Sequence, residues 1–169
     1  MDAAELRAMQ APIKERYKTD AGAAMITLRA KGSIDESNIA CKVETGRALA
    51  IAGLHPATGG SGMELCSGDM LLEALVACAG VTLKAVSTAL GISLKAGHVS
   101  AEGDLDFRGT LGVAKEAPVG FAEIRLKFDV DTDEPQEKLD QLLKLTERYC
   151  VVYQTIKSGP PVAVTMARV

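Results

Sequence analysis

The sequence predicts an α+β domain. Several short segments alternate apolar and polar residues with period two, the mark of half-buried strands. Two long stretches instead repeat their apolar residues every three to four positions, the mark of helices. The 169 residues carry 19 basic and 22 acidic side chains for a net charge of −3, and 47% of them are hydrophobic. That apolar content excludes disorder and fits one ordinary domain rather than two. The charge balance argues against a nucleic-acid or acidic-lipid partner. With 3 Phe, 3 Tyr and no Trp, the core must be packed from aliphatic and small residues.

Asp2 to Lys18 reads as a helix. Asp2 caps it with Glu5 three residues on, Leu6, Met9 and Ile13 form one apolar stripe, and Pro12 is expected to kink or split it. Residues 1–20 therefore form a helical extension ahead of a single domain spanning 1–169. Two alternating strands follow, Ala24 to Lys31 on Ile26, Leu28 and Ala30, then a segment on Ile39, Cys41 and Val43. A third short strand, Ala48 to Gly53, leads into HPATGGSGMELCSG, too rich in glycine for regular structure.

Asp69 to Leu90 is apolar on almost every side and reads as a buried helix, with Glu73, Ala77, Gly80, Lys84 and Thr88 as its polar line. The longest apolar run, Met70 to Leu83, has 14 residues, contains Glu73 and is followed by Lys84, too short and interrupted for a membrane span. His98 to Phe107 and Phe121 to Asp131 alternate as strands. They are joined by RGTLGVAKEAPVG, long enough to be a functional or packing loop. Asp133-Glu134-Pro135 starts a helix whose buried stripe runs Leu139, Leu142, Leu143, Thr146, Cys150 and Tyr153 and which ends near Gly159-Pro160-Pro161. Val162, Val164 and Met166 make a last strand.

Four cysteines are too few and too scattered for a disulfide scaffold, and MDAAELRAMQ lacks the pattern of a secretory signal. A reducing, cytoplasmic setting is the default, in which a cysteine pair is reactive rather than structural. Cys78 and Cys150 lie on the two most buried helices. Ala77, Ala79 and Gly80 around Cys78 would let another helix come close. The spacing permits a Cys78–Cys150 pair without demanding it, and two small buried hydrophobes is the alternative. A zinc site from Cys41, Cys66, His55 and Cys78 lacks any Cys-x-x-Cys or paired-His spacing, and GGSG lacks the frame of a nucleotide loop.

The run GDMLLEALVACAGVTL, followed some seventy residues later by TERYCVVYQTI, resembles the paired cysteine motifs of the OsmC/Ohr family, the osmotically inducible protein C and organic hydroperoxide resistance proteins. The resemblance implies antiparallel sheets wrapped around two long central helices in an intertwined homodimer. It also implies a thiol-dependent peroxidase for small organic hydroperoxides. By position, Cys78 would be the peroxidatic thiol and Cys150 the resolving one. Cys78 would pass through a sulfenic acid to a Cys78–Cys150 disulfide. No bound cofactor is implied. An external dithiol, a thiol reductant protein or small dithiol of the lipoyl kind, would reopen the disulfide.

The family helps its first cysteine with an early-strand arginine held by an acid ten residues before that cysteine. Here that position is Gly68, followed by Asp69, so Asp69 takes the acid's place or merely caps the helix. Arg47 is the favoured arginine, with Arg29 behind it. Arg148 and Glu73 point to the wrong faces of their helices to serve Cys78. The family's frequent proline after the second cysteine is Val151 here, so no proline kink is expected beside Cys150. Cys66 is a candidate backup thiol, and Cys41 reads as packing. The competing readings are an OsmC-like protein that binds an apolar ligand without catalysis, and a slow redox sensor.

Overall fold

A computed structural model describes residues 3–34, 41–43, 53–63 and 65–168. For 3–7, 9, 27–34 and 41–43 it gives the backbone only. The expected third strand at 48–53 and Arg47 lie outside the described residues, except that the Gly53 N–H donates to the Leu65 carbonyl at 2.9 Å.

The main helices and strands up to Asp131 follow in the order read from the sequence, except that Phe107 leaves the strand and opens a short helix in place of the expected loop. Helix α1 (Ala3–Thr19) runs through Pro12 as a single helix and is followed by a 3-10 turn, Ala21–Ala24. Strands β1 (Met25–Ile34) and β2 (Cys41–Val43) come next, then a 3-10 turn at Pro56–Thr58 inside the glycine-rich loop. Helix α2 (Ser67–Leu90), strand β3 (Ala96–Asp106), the short helix α3 (Phe107–Thr110) and strand β4 (Phe121–Asp131) follow. The chain then forms α4 (Gln136–Tyr149) and α5 (Val151–Ser158).

The described strands form one antiparallel sheet in the order β2-β1-β3-β4. Its register sets Ala101 opposite Ala30 on one side and Leu126 on the other. Gly103 is required for close packing, because a Cβ there would stand 2.4 Å from the Phe121 ring. Alternation along β3 turns Val99, Ala101 and Leu105 into the core. The opposite face carries ion pairs from Arg125 to Asp104 at 2.6 Å and Glu123 at 2.9 Å, each worth little in solvent.

Helix α2 packs against β1 and β3 and also against α4 and α5, which makes it the centre of the fold. It ends in a left-handed Gly91 (φ 66°), whose N–H reaches the Ser87 and Thr88 carbonyls. Its length and apolarity would suffice to cross a membrane, yet Leu72, Leu75, Val76, Ala79, Leu83 and Val86 are buried inside the protein. The polar line assigned from the sequence is not its outward face. Of that line Thr88 is exposed but Gly80 is buried, and the outward face is carried instead by Leu71, Ala74 and Val81.

Three further expectations need correction. The last helix is not continuous, because it breaks at Cys150, whose extended backbone (φ −71°, ψ 106°) ends α4 and starts α5. Residues 159–168 form no strand, and Val162, Val164 and Met166 are 81%, 88% and 100% exposed. A strand needs a ladder partner, and the tail has none among the described residues. Finally, α1 is more than an appendage. Tyr17 is buried in the main core beside Leu72 and Val76, and its hydroxyl donates to the Ala57 carbonyl at 2.7 Å.

Candidate active site

The break at Cys150 builds the site. The Cys150 N–H closes α4 by donating to the Thr146 carbonyl, while the Cys150 carbonyl accepts the first bond of α5 from Gln154, both at 2.9 Å. The chain therefore changes direction with its backbone polar groups satisfied, and the first amides of α5 are left with free N–H groups at a positive helix end. Cys78, in the middle of α2, lies against this end.

The chemistry of the two thiols follows from that contact. Burial pushes the Cys78 thiol up. Against it, the Val152 N–H, the Cys150 thiol, the Thr82 hydroxyl, which donates to the Cys78 carbonyl at 2.7 Å, and the Val151 N–H favour the ionised sulfur, and the balance leaves Cys78 below the ordinary thiol value of 9.0. Cys150 moves the other way, to about 11. Its burial, 1% exposed, is the main cause and the neighbouring Cys78 adds to it, while the Tyr153 and Val152 amides only partly compensate. Two adjacent thiols thus differ in acidity. One favours the nucleophilic thiolate, and the other stays protonated beside it.

Cys66, Cys78 and Cys150 are all free thiols. Cys78 and Cys150 share the main core cluster with Leu75, Val152 and Tyr153. An open groove of about 500 Å³ is lined by Leu75, Phe121, Ile124, Leu126, Tyr153 and Ile156 among others; neither cysteine lines it, but it shares Leu75 and Tyr153 with the core cluster that holds both. Its charged lining residues are Glu123, Glu147 and Lys157.

The remaining sequence candidates are placed elsewhere. Asp69 does not cap α2, because the helix starts two residues earlier and Cys66 is the N-cap. Asp69 lies in the first turn, where an acid suits the helix dipole. Nine residues separate it from Cys78, about 13 Å along the axis and about half a turn round, so it does not touch the sulfur. Its titratable neighbours are His55 and Glu73. Burial raises the Asp69 carboxyl, with His55 opposing, and burial lowers the His55 imidazole, with Asp69 opposing. His55 accepts the Ala57 N–H at Nδ1 (3.0 Å) and stacks on Phe107 at 5.0 Å, a structural environment. Cys66 is twelve residues from Cys78, about 18 Å along the same helix, too far to resolve it without unwinding. The Arg148 guanidinium lies over the Tyr149 ring at 5.5 Å, on an exposed residue.

Sequence reading found both cysteines but missed the amide donors. Residue type carries no sign of them, since they exist only because the chain breaks at Cys150. Thr82 was missed too, although its place one helical turn beyond Cys78 is visible in the sequence.

Comparison with known proteins agrees with this architecture. The chain is similar to an OsmC-like hydroperoxide resistance protein from Jannaschia sp. CCS1, with a TM-score of 0.59 over 82% of this chain and 91% of that one. The sequence identity is 14%, so the likeness is one of fold. No characterised protein matches by sequence at a significant level. The sequence profile for the OsmC-like protein family matches residues 59–165. That span takes in α2 to α5, both cysteines and the helix break between them, and by this match the chain belongs to the OsmC-like family.

Proposed function

We propose that this chain is a two-cysteine thiol peroxidase that reduces organic hydroperoxides. Family membership supports a peroxidase-like role in general. The observation that carries the specific reading is the contact of Cys78 with the α5 amides and with Cys150, which makes Cys78 the more acidic thiol, while burial keeps Cys150 protonated beside it.

In this reading the Cys78 thiolate attacks the outer oxygen of ROOH. The O–O bond breaks, RO⁻ leaves and takes a proton to become ROH, and Cys78 is left as a sulfenic acid. Cys150 attacks that sulfur, a Cys78–Cys150 disulfide forms, and the sulfenic oxygen departs as water. An external dithiol, a lipoyl group for instance, restores both thiols by exchange and is itself oxidised to a disulfide. The groove lined by Leu75, Phe121 and Ile156 is the place for the organic part of the peroxide. No bound cofactor is invoked. Arg47, held by Asp69, is a proposed helper from the early chain.

The working unit proposed is a homodimer in a reducing, cytoplasmic compartment. Two features favour it: the apolar outward line of α2, with Leu71 40% and Val81 37% exposed, and the exposed Val162, Val164 and Met166 of the tail. A second copy would cover both.

The test is peptide mapping after one equivalent of cumene hydroperoxide. A Cys78–Cys150 disulfide in the wild type, and a Cys78 sulfenic acid in Cys150→Ser, are the expected products. Oxidation confined to Cys66 or Cys41 would overturn the reading.

A further inference from the structure

We propose that Phe121 sets the specificity of the groove and selects hydroperoxides with an aryl body. The proposal rests on the thiol-peroxidase reading and deepens it by naming the substrate class that the groove favours.

Strand β4 is irregular at this side chain. Its pairing with β3 sets Ile124 opposite Gly103 and Glu123 opposite Asp104, then skips to Phe121 opposite Leu105. Ala122 is therefore the extra residue of a β-bulge. Side chains alternate between faces along a strand, so without the bulge Phe121 would share the outer face of Glu123 and Arg125, which form an ion pair there. With it, Ala122 and Glu123 are both exposed, and Phe121 turns to the inner face of Leu105 and Ile124.

A glycine then makes room for the ring. Gly103 lies on the same inner face, and a Cβ there would overlap the Phe121 ring. Because Phe121 lines the groove, a side chain at position 103 would drive that ring out of its seat and reshape the groove wall. Bulge and glycine both weaken a plain sheet, and here both serve one aromatic side chain.

The ring is not alone. Phe121, Phe128 and Tyr153 all line the groove, three of the six Phe and Tyr in a chain without Trp. Aromatic side chains attract a further ring edge-to-face or offset, beyond the burial of apolar area, so this concentration favours an aryl body over an alkyl one. A groove of about 500 Å³ also holds far more than a tert-butyl group. Leu75 and Tyr153 join it to the cluster that holds both thiols, so one small molecule can keep its ring in the groove and its O–O group toward Cys78.

The experiment measures kcat/KM for cumene and for tert-butyl hydroperoxide, with excess dithiol, in the wild type, Phe121→Leu, Gly103→Ala and the double variant. The ratio of the two values cancels losses common to both substrates. We expect the wild type to favour the aryl substrate about tenfold, and Phe121→Leu, which stays apolar but removes the ring, to lower that ratio about three- to tenfold. Gly103→Ala should lower it too, by displacing the ring, and have no further effect once Phe121→Leu is present. General damage to the sheet would not produce that coupling. A ratio unchanged by Phe121→Leu, or a Gly103→Ala effect equal in both backgrounds, overturns the proposal. If Gly103→Ala does not fold, Phe121→Leu alone decides. Saturation-transfer NMR with 2-phenyl-2-propanol, the alcohol formed from cumene hydroperoxide, reads the groove without turnover, and Phe121→Leu should bind it about three- to tenfold more weakly than the wild type. That weakening in a protein without turnover sinks the peroxidase and leaves the aryl site, whereas turnover with an unchanged ratio does the reverse. No turnover together with absent or equal binding overturns both.

Discussion

At the scale of the residue, the site turns on the contrast between two thiols in contact. Apolar burial acts on both and raises both. Only Cys78 receives enough donors to end below its ordinary value, while Cys150 is left at about 11. The sign fixes the order of reaction with pH. Between neutrality and pH 9 the Cys78 thiolate fraction exceeds that of an unperturbed thiol, whereas Cys150 stays protonated. Timed alkylation of the reduced protein at pH 7.5, followed on each cysteine peptide, is expected to label Cys78 at least tenfold faster than Cys150. Equal rates, or Cys150 first, would mean that the contact does not tune the pair. Both residues were legible as chemistry through the resemblance to the OsmC/Ohr cysteine motifs, since their apolar helical stripes alone also fit two buried packing cysteines. The direction of each shift was not. It depends on backbone amides, which have the same composition whatever residue carries them.

At the scale of the element, the decisive feature is the break between α4 and α5. The apolar period Leu142, Thr146, Cys150, Tyr153 runs straight across it, so the pattern reads as one helix while the backbone makes two. Periodicity reports which face is buried, and this break preserves the face. Other elements were legible because their boundaries carry a local signal. Strand β4 occupies Phe121–Asp131 as read, between Gly120 and the Asp133-Glu134-Pro135 helix start. Helix α2 stops where Gly91 takes a left-handed backbone. The break also predicts the effect of proline at 151. Cys150 already has the extended backbone that precedes a proline, and position 151 is the first residue of α5, where proline is accepted. Val151→Pro should therefore fold with stability within about 1 kcal/mol of the wild type. It deletes one of the two amide donors to Cys78, so the Cys78 midpoint should rise by a few tenths of a unit. A fall in the midpoint would show that the Val151 N–H does not support the thiolate. The measurements are a thermal melt and the Cys78 alkylation profile.

At the scale of the whole molecule, the core is centred on α2, with the sheet on one side and α4 and α5 on another, and α1 closes it through Tyr17. The sequence-level expectation of six strands exceeds what the described chain forms, and the tail shows why. Val162, Val164 and Met166 have the alternation of a strand, but alternation specifies only which side chains share a face, and a ladder needs a second edge. A second copy is the proposed source of that edge, and the tail then contributes to the dimer. Truncation after Gly159 is expected to convert a species of twice 17.7 kDa into one of about that mass lacking its tail, as seen by light scattering on a sizing column. A wild-type chain that elutes as a monomer, or a truncated chain that stays dimeric, would contradict the role given to the tail.

The most direct measurement is steady-state consumption of cumene or tert-butyl hydroperoxide with excess dithiol, compared between the wild type and Cys78→Ser. The account predicts many turnovers per wild-type chain and none above the uncatalysed rate for Cys78→Ser. An inactive wild type, or equal turnover by the two proteins, would contradict it.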